Sequence, residues 1–274
     1  MEGNQFGRTS SLMLTATANA QGKTVLQDVS FTAPFKVMEP FICDNGLMQV
    51  MILAASAGIM EGDRQEFSFS IQSGAALEVT SQAYEKIHQM AGKDCAKRYA
   101  SITIADGGFF RYNPQATVPF ADSSFDSTVE VHLQGKAGFQ WSEIFTCGRY
   151  MRGERFAYKR YTNLVTIYRD ERLIYRDNVQ FRRNLFDMSS MGMFEQYTHM
   201  ASIFVSKPCH KEDFVKKTSE LLQEAEQQGV QGNAPAVEGG ITELSDGDYA
   251  IRIFGTRAQT LEHLKERIMD LDVR

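Results

Sequence analysis

The chain is short of positive charge. Its 274 residues hold 29 Lys and Arg against 34 Asp and Glu, a net charge of −5. With no basic excess to neutralise phosphates, a dedicated nucleic-acid binder is excluded. Long apolar runs are also missing. The most apolar stretch, Gly46 to Met60, is interrupted by Gln49 and closed by Glu61 and Asp63. It falls short of the roughly 20 residues that span a bilayer, so no membrane association is expected. The opening MEGNQFGRTSSLML has no basic stretch followed by an apolar core, which points to the cytoplasm rather than to a secretory leader. Four cysteines, Cys43, Cys95, Cys147 and Cys209, form no C-x-x-C pair, which argues against a structural zinc site. They are expected as reduced thiols.

Two catalytic signatures are absent as well. No G-x-x-x-x-G-K-[ST] occurs; the nearest glycine pair, Gly58 and Gly62, is followed by Asp63, whose carboxylate would repel a phosphate. No G-x-S-x-G elbow exists, so the usual setting of a serine nucleophile is missing.

What is present is alternation. QEFSFSI sets Phe67, Phe69 and Ile71 on one face, and ASITIA does the same with Ile102 and Ile104. STVEVHL repeats it with Val129, Val131 and Leu133, and FQWSEIF continues the pattern. NLVTIYRDERLIYRD reads as two strands around a turn at Arg169-Asp170-Glu171. Such runs predict half-buried antiparallel strands, with turns at Gly74, Asp106-Gly107 and Gln134-Gly135. APFKVMEPF, bracketed by Pro34 and Pro40, reads as an extended edge piece.

The last quarter changes character. His210 to Gly229 predicts a helix, GVQGNAPAVEGG a flexible loop and DYAIRIFG a strand. TRAQTLEHLKERIMDL predicts a second helix, with Leu261, Leu264, Ile268 and Leu271 on one stripe and a capping box from Thr256 to Gln259. The expectation is a mainly β fold in one domain, residues 1–274, with a helical annex over about 207–274.

The segment TSQAYEKIHQM gathers Ser81, Glu85, Lys86 and His88. If helical, it places Ser81, Glu85 and His88 on one face, where Glu85 and His88 could act as acid and base of a hydrolase. The same face reads equally as a polar, hydrated lining. PCHKED, with Cys209 and His210, is the one local cluster of soft and hard ligands and would suit nickel or zinc storage. It reads equally as a loop cysteine beside an exposed histidine. Asp63, Glu85, Glu143, Glu154, Asp177 and Glu195 sit beside apolar or aromatic residues, with Arg149 and other cations nearby in sequence.

APFKVMEPF, ASAGIMEGDR, TSQAYEKIH, NPQATVPFADSSF, SEIFTCGRYMRGERF, LIYRDN and MFEQYTHMASIF follow one another in this order from Ala33 to Phe204. Together they resemble the urease accessory protein D family, called H in some organisms. The resemblance implies a helical stack of β-sheets with two C-terminal helices. It implies a non-enzymatic chaperone that works with accessory proteins F and G, of which G is the GTPase, on the urease apoprotein. It further implies nickel in transit through a hydrated passage, no tightly bound cofactor, and a dimer within the accessory complex. The positions within matching motifs are Asp63, Ser81, Glu85, Lys86, His88, Glu143, Arg149, Asp177 and Asn178. Gly58 and Gly62 stand singly where many members have paired glycines.

Overall fold

The computed structural model describes residues 7–92, 94–228, 230–231 and 234–272. The chain winds between two stacked sheets. It opens with the hairpin β1 (Thr9–Ala18) and β2 (Thr24–Phe31) in the first sheet. It then crosses to β3 (Phe35–Val37), β4 (Phe41–Ile42) and β5 (Met48–Ala54) in the second.

From there each turn of the winding lays one strand in each sheet. β6 (Arg64–Ile71) is followed by β7 (Ala76–Ser81) and the short β8 (Glu85–Ile87). β9 (Ala96–Ile104) is followed by β10 (Phe109–Asn113) and the short β11 (Thr117–Pro119). β12 (Ser124–Leu133) leads to β13 (Gly138–Thr146), and β14 (Arg160–Arg169) and β15 (Arg172–Arg182) close the first sheet as a hairpin. β16 (His199–Val205) returns to the second sheet. After α1 (Lys211–Gln228) and the small β17 (Val230–Gln231) and β18 (Ala234–Pro235), β19 (Val237–Glu243) and β20 (Tyr249–Gly255) extend that sheet. α2 (Ala258–Met269) follows.

The first sheet runs β15-β14-β12-β9-β6-β1-β2, and the main path of the second runs β19-β20-β16-β13-β10-β7-β5-β3. The predicted turns at Gly74, Gly107 and Gly135 lie at one end, each leading from the first sheet into the second, and all three glycines have positive φ. The opposite end carries the longer loops.

The mainly β, stacked-sheet architecture is as expected, but the direction of the strands is not. β1, β6, β9, β12 and β14 are parallel neighbours, in place of the antiparallel strands that the alternation suggests. Alternation reports only that one face is buried; here every second face is covered by the other sheet, and the winding keeps successive rungs parallel. The rows are in register. Leu14, Phe69, Ile102, Val131 and Ile167 line up across five strands. They meet Val50, Leu77, Phe110, Phe139 and Trp141 of the second sheet in one core.

The second sheet is covered on both faces. Ala201, Ile203, Ile251 and Ile253 turn outward and pack with Phe214 and Leu222 of α1 and Leu261, Leu264 and Ile268 of α2. The stripe read from the sequence on α2 is thus its seat, with Leu271 packed at the margin. The expected capping box is not formed: Arg257 stands at the N-cap, without a side-chain cap bond. The carboxyl end of α2 is held instead. Arg111, 3% exposed, donates to Met269 O at 2.8 Å and to Asp270 Oδ1 at 2.7 Å. Gln140 donates to Asp272 O at 2.7 Å. These donors serve carbonyls that a helix end leaves without partners.

The segment expected as a flexible loop, residues 229–240, is divided. Gly229 and residues 232–233 lie outside the described residues, whereas Val237 begins β19, antiparallel to β20. APFKVMEPF supplies β3 and leads into β4, with β3 at the edge of its sheet as expected. The possibility of a helix over Ser81 to His88 is overturned: Ser81 ends β7 and Glu85 begins β8. Thr80 and Ser81 extend a strand already paired through Val79, and β8 is held beside β11.

Candidate functional site

Towards the loop end, the inward row of each strand changes from apolar to polar. In the first sheet Gln65, Arg98, Ser127 and Asn163 occupy one row, directly beyond Phe67, Ala100, Val129 and Val165. In the second sheet Glu143, Ser202 and Arg252 form the corresponding row, directly beyond Trp141, Phe204 and Ala250. Glu85 of β8 and Asp177 of β15 add carboxylates at either side.

Four of these groups, Gln65, Glu85, Arg98 and Glu143, border a cavity of about 150 Å³ that Ser81 and Tyr112 also line. A second space of about 10 Å³, roughly one water, is lined by Glu143, Asn163, Asp177 and Ser202. Glu143 borders both.

Glu85 and Asp177 are each held by a guanidinium. Arg98 Nη1 donates to Glu85 Oε2 at 2.8 Å, and its Nε donates to Gln65 Oε1 at 2.9 Å. Arg252 Nη2 donates to Asp177 Oδ2 at 2.6 Å. Glu143 accepts from the Asn163 amide, its one hydrogen bond among the described residues. Burial pushes the Glu143 carboxyl up to about 8, Arg98 opposes that rise, and Asp177 and Glu85 reinforce it. Burial lowers the Arg98 pKa, but the Glu85 carboxylate outweighs this and leaves it above its ordinary value. Three carboxylates against two arginines leave the interior with at most one net negative charge. Together with amide and hydroxyl oxygens, that suits weak attraction of a hydrated cation.

The remaining sequence candidates are dispersed. Ser81 is at the cavity rim, where its Oγ accepts from Gln115 N at 2.9 Å. Lys86 is exposed at the same rim, where Gly58 comes so close that a Cβ on it would lie 2.4 Å from Lys86 O. His88 Nε2 is 2.9 Å from Ala57 O, and its ring packs on Phe120. Glu85 and His88 are therefore engaged with different partners, and no acid–base pair forms. Asp63 braces its own loop by accepting from Met60 N at 2.8 Å. Arg149 binds Glu154 and lies 3.9 Å over the Phe120 ring. Asn178 is exposed, on the strand face opposite to Asp177.

Cys209 and His210 are exposed beyond the end of β16, at the turn end, away from the cavity. Among the described residues no group of three or more His, Cys, Asp or Glu is arranged to hold a metal ion. Sequence reasoning missed Gln65, Arg98, Ser127, Asn163, Ser202 and Arg252. The signal was available for several of them: Gln65, Arg98 and Ser127 share the parity of the inward-facing apolar residues of their strands.

Known proteins resemble the chain in sequence. A family model described as UreD urease accessory protein matches residues 8–274. The urease accessory protein UreD of Acetivibrio thermocellus is 34% identical over 269 residues, covering 98% of each chain. The urease accessory protein UreH of Helicobacter pylori strain P12 is 31% identical, covering 97% of this chain and 95% of its own. The UreD protein of Actinobacillus pleuropneumoniae serotype 7 is 28% identical over 264 residues. The chain therefore belongs to the UreD family of urease accessory proteins.

Proposed function

We propose that the chain is a non-enzymatic maturation factor that guides nickel towards the urease apoprotein through its hydrated interior. It acts in a complex with accessory proteins F and G, as part of a dimeric assembly in the cytoplasm. GTP hydrolysis belongs to protein G, in keeping with the absent phosphate loop here. Nickel is cargo and no cofactor is resident.

The observation that carries this reading is Glu143, one carboxyl bordering two neighbouring spaces and, among the described residues, free of any direct guanidinium contact. A passage must attract its ion without retaining it. A cluster of thiolates and imidazoles would hold nickel too tightly. A row of oxygens with at most one net negative charge, gained only as Glu143 gives up its proton, meets the requirement. Among the described residues the storage reading at Cys209 and His210 finds no third ligand, and the hydrolase reading at Glu85 and His88 lacks a pair in contact.

The test is nickel-dependent activation of urease apoprotein with purified partners. Glu143→Gln is expected to lower activation several-fold while the complex still assembles, and Cys209→Ala to change it little. Full activation by Glu143→Gln, or the reverse ranking, would refute the passage.

A further inference from the structure

The loop end carries positive charge that the passage does not use. Between Arg149 and Arg160 the chain has five basic residues and one acidic residue, against a net charge of −5 for the whole. Arg149 and Arg160 are paired, with Glu154 and Asp126. Arg152 has no ion pair among the described residues. Arg155 spends its Nη2 on the carbonyls of Glu195 and Tyr197, and Lys159 its Nζ on Met90 O. A carbonyl orients a cation without neutralising it.

Arg155 and Arg183 line an open groove of about 600 Å³ between residues 155–157 and 183–189. Arg183 braces it by donating to Ala157 O at 2.7 Å and pairs with Asp122. The carboxylates of the second loop accept from its own backbone, Asp187 from Ser189 N and Glu195 from Gly192 N, and each keeps its charge.

The same two loops expose apolar side chains. Met151 is 95% exposed and Met191 91%, and Leu185, Phe186 and Tyr150 are also exposed. Phe156 and Glu195 are held at φ 52 and 49. For a phenylalanine that conformation is costly, so the surrounding contacts define the shape of the loops closely. Exposed methionines and aromatics beside Arg152 and Arg155, neither of them in an ion pair among the described residues, are the composition of a protein-binding surface, whereas nucleic acid would call for a basic excess across the chain.

We infer that the two loops around this groove dock an acidic segment of a partner protein, its carboxylates meeting Arg152 and Arg155 and its apolar side chains covering Met151, Leu185 and Met191. The assignment is independent of nickel passage, since none of these residues borders the cavity.

The test places a photo-crosslinking amino acid at Met151 in the full chain within its native host, with the crosslinked peptide mapped by mass spectrometry. The expected product joins position 151 to an acidic, apolar segment of another protein, and adding Arg152→Glu lowers its yield at least tenfold. Raised salt lowers it as well. A product with a second copy of this chain, with a segment lacking carboxylates, or no product at all would overturn the assignment. So would an undiminished yield with Arg152→Glu, or equal capture of the purified chain by vesicles containing anionic phosphatidylglycerol. Met191→Asp serves as a second variant should Arg152→Glu lower expression. Urease activation measured alongside reports on nickel passage separately: loss of the crosslink with a normal response to Glu143→Gln would overturn only the docking surface.

Discussion

Arg252 of β20 reaches across the stack to Asp177 of β15, with its Nη2 2.6 Å from the carboxylate. The pair ties the last strand of one sheet to the closing hairpin of the other, beside the narrower of the two cavities. Asp177 is 16% exposed at its side chain and Arg252 37%, so water screens the pair in part. Arg252→Met leaves the carboxylate without its cation. The cost lies between that of an exposed pair and that of a buried one, about 2 kcal/mol. Urea denaturation should show it as a lowered midpoint with an unchanged slope.

Glu143 should make stability depend on pH. Its folded pKa of about 8 stands above the unfolded value of about 4.3. Between these values the folded chain binds the proton and the unfolded chain does not. Stability therefore falls as pH rises through this window, by up to about 1.4 kcal/mol per pH unit from this group. Glu143→Gln removes that contribution, so the variant should gain on the wild type between pH 5 and 8. Denaturant titrations at pH 5, 6, 7 and 8 measure the difference; parallel curves would show that Glu143 is ionised in the folded state.

The strands were legible because alternation marks a buried face, and the turns because glycine at Gly74, Gly107 and Gly135 meets a need for positive φ. Strand direction was not legible: Phe67, Phe69 and Ile71 would alternate in either sense, and only the winding decides. The interior charges were missed for a related reason. Arg98 lies in AKRYASITI, where a lone arginine at the head of a strand looks like solvated surface. It is buried because Glu85, distant across a loop, supplies the opposite charge. The apparent unity of Ser81, Glu85 and His88 dissolved because a strand end and a short strand, unlike a helix, do not gather residues four apart.

The seat of α2 offers a separate test of stability. Arg111 and Gln140 together serve the carbonyls of Met269 and Asp272, all within the protein. Arg111→Met removes charged donors to a buried carbonyl and should cost about 2 kcal/mol. Hydrogen exchange should quicken first in residues 264–269, ahead of β6, β9 and β12. Uniform exchange across the chain would mean that α2 and the sheets open as one unit.

Ser81 separates lining from catalysis. Its Oγ accepts from Gln115 N and lies 3.5 Å from Ala83 O, so it braces the loop that forms the cavity rim. No base lies against it: His88 is turned to Ala57 O, and Glu85 is bound to Arg98. Ser81→Ala should therefore cost about 1 kcal/mol of stability, the worth of one ordinary hydrogen bond. It should reduce urease activation by no more than a fewfold, because neighbouring oxygens and water can take over at a hydrated wall. Residues that act as a catalytic unit behave otherwise, and loss of one member abolishes turnover almost as fully as loss of all. Glu85→Gln and His88→Ala, measured singly and combined with Ser81→Ala, complete the comparison. Graded losses that multiply across the variants are expected. Complete loss from Ser81→Ala alone, in a folded chain that still assembles with its partners, would identify Ser81 as a nucleophile instead.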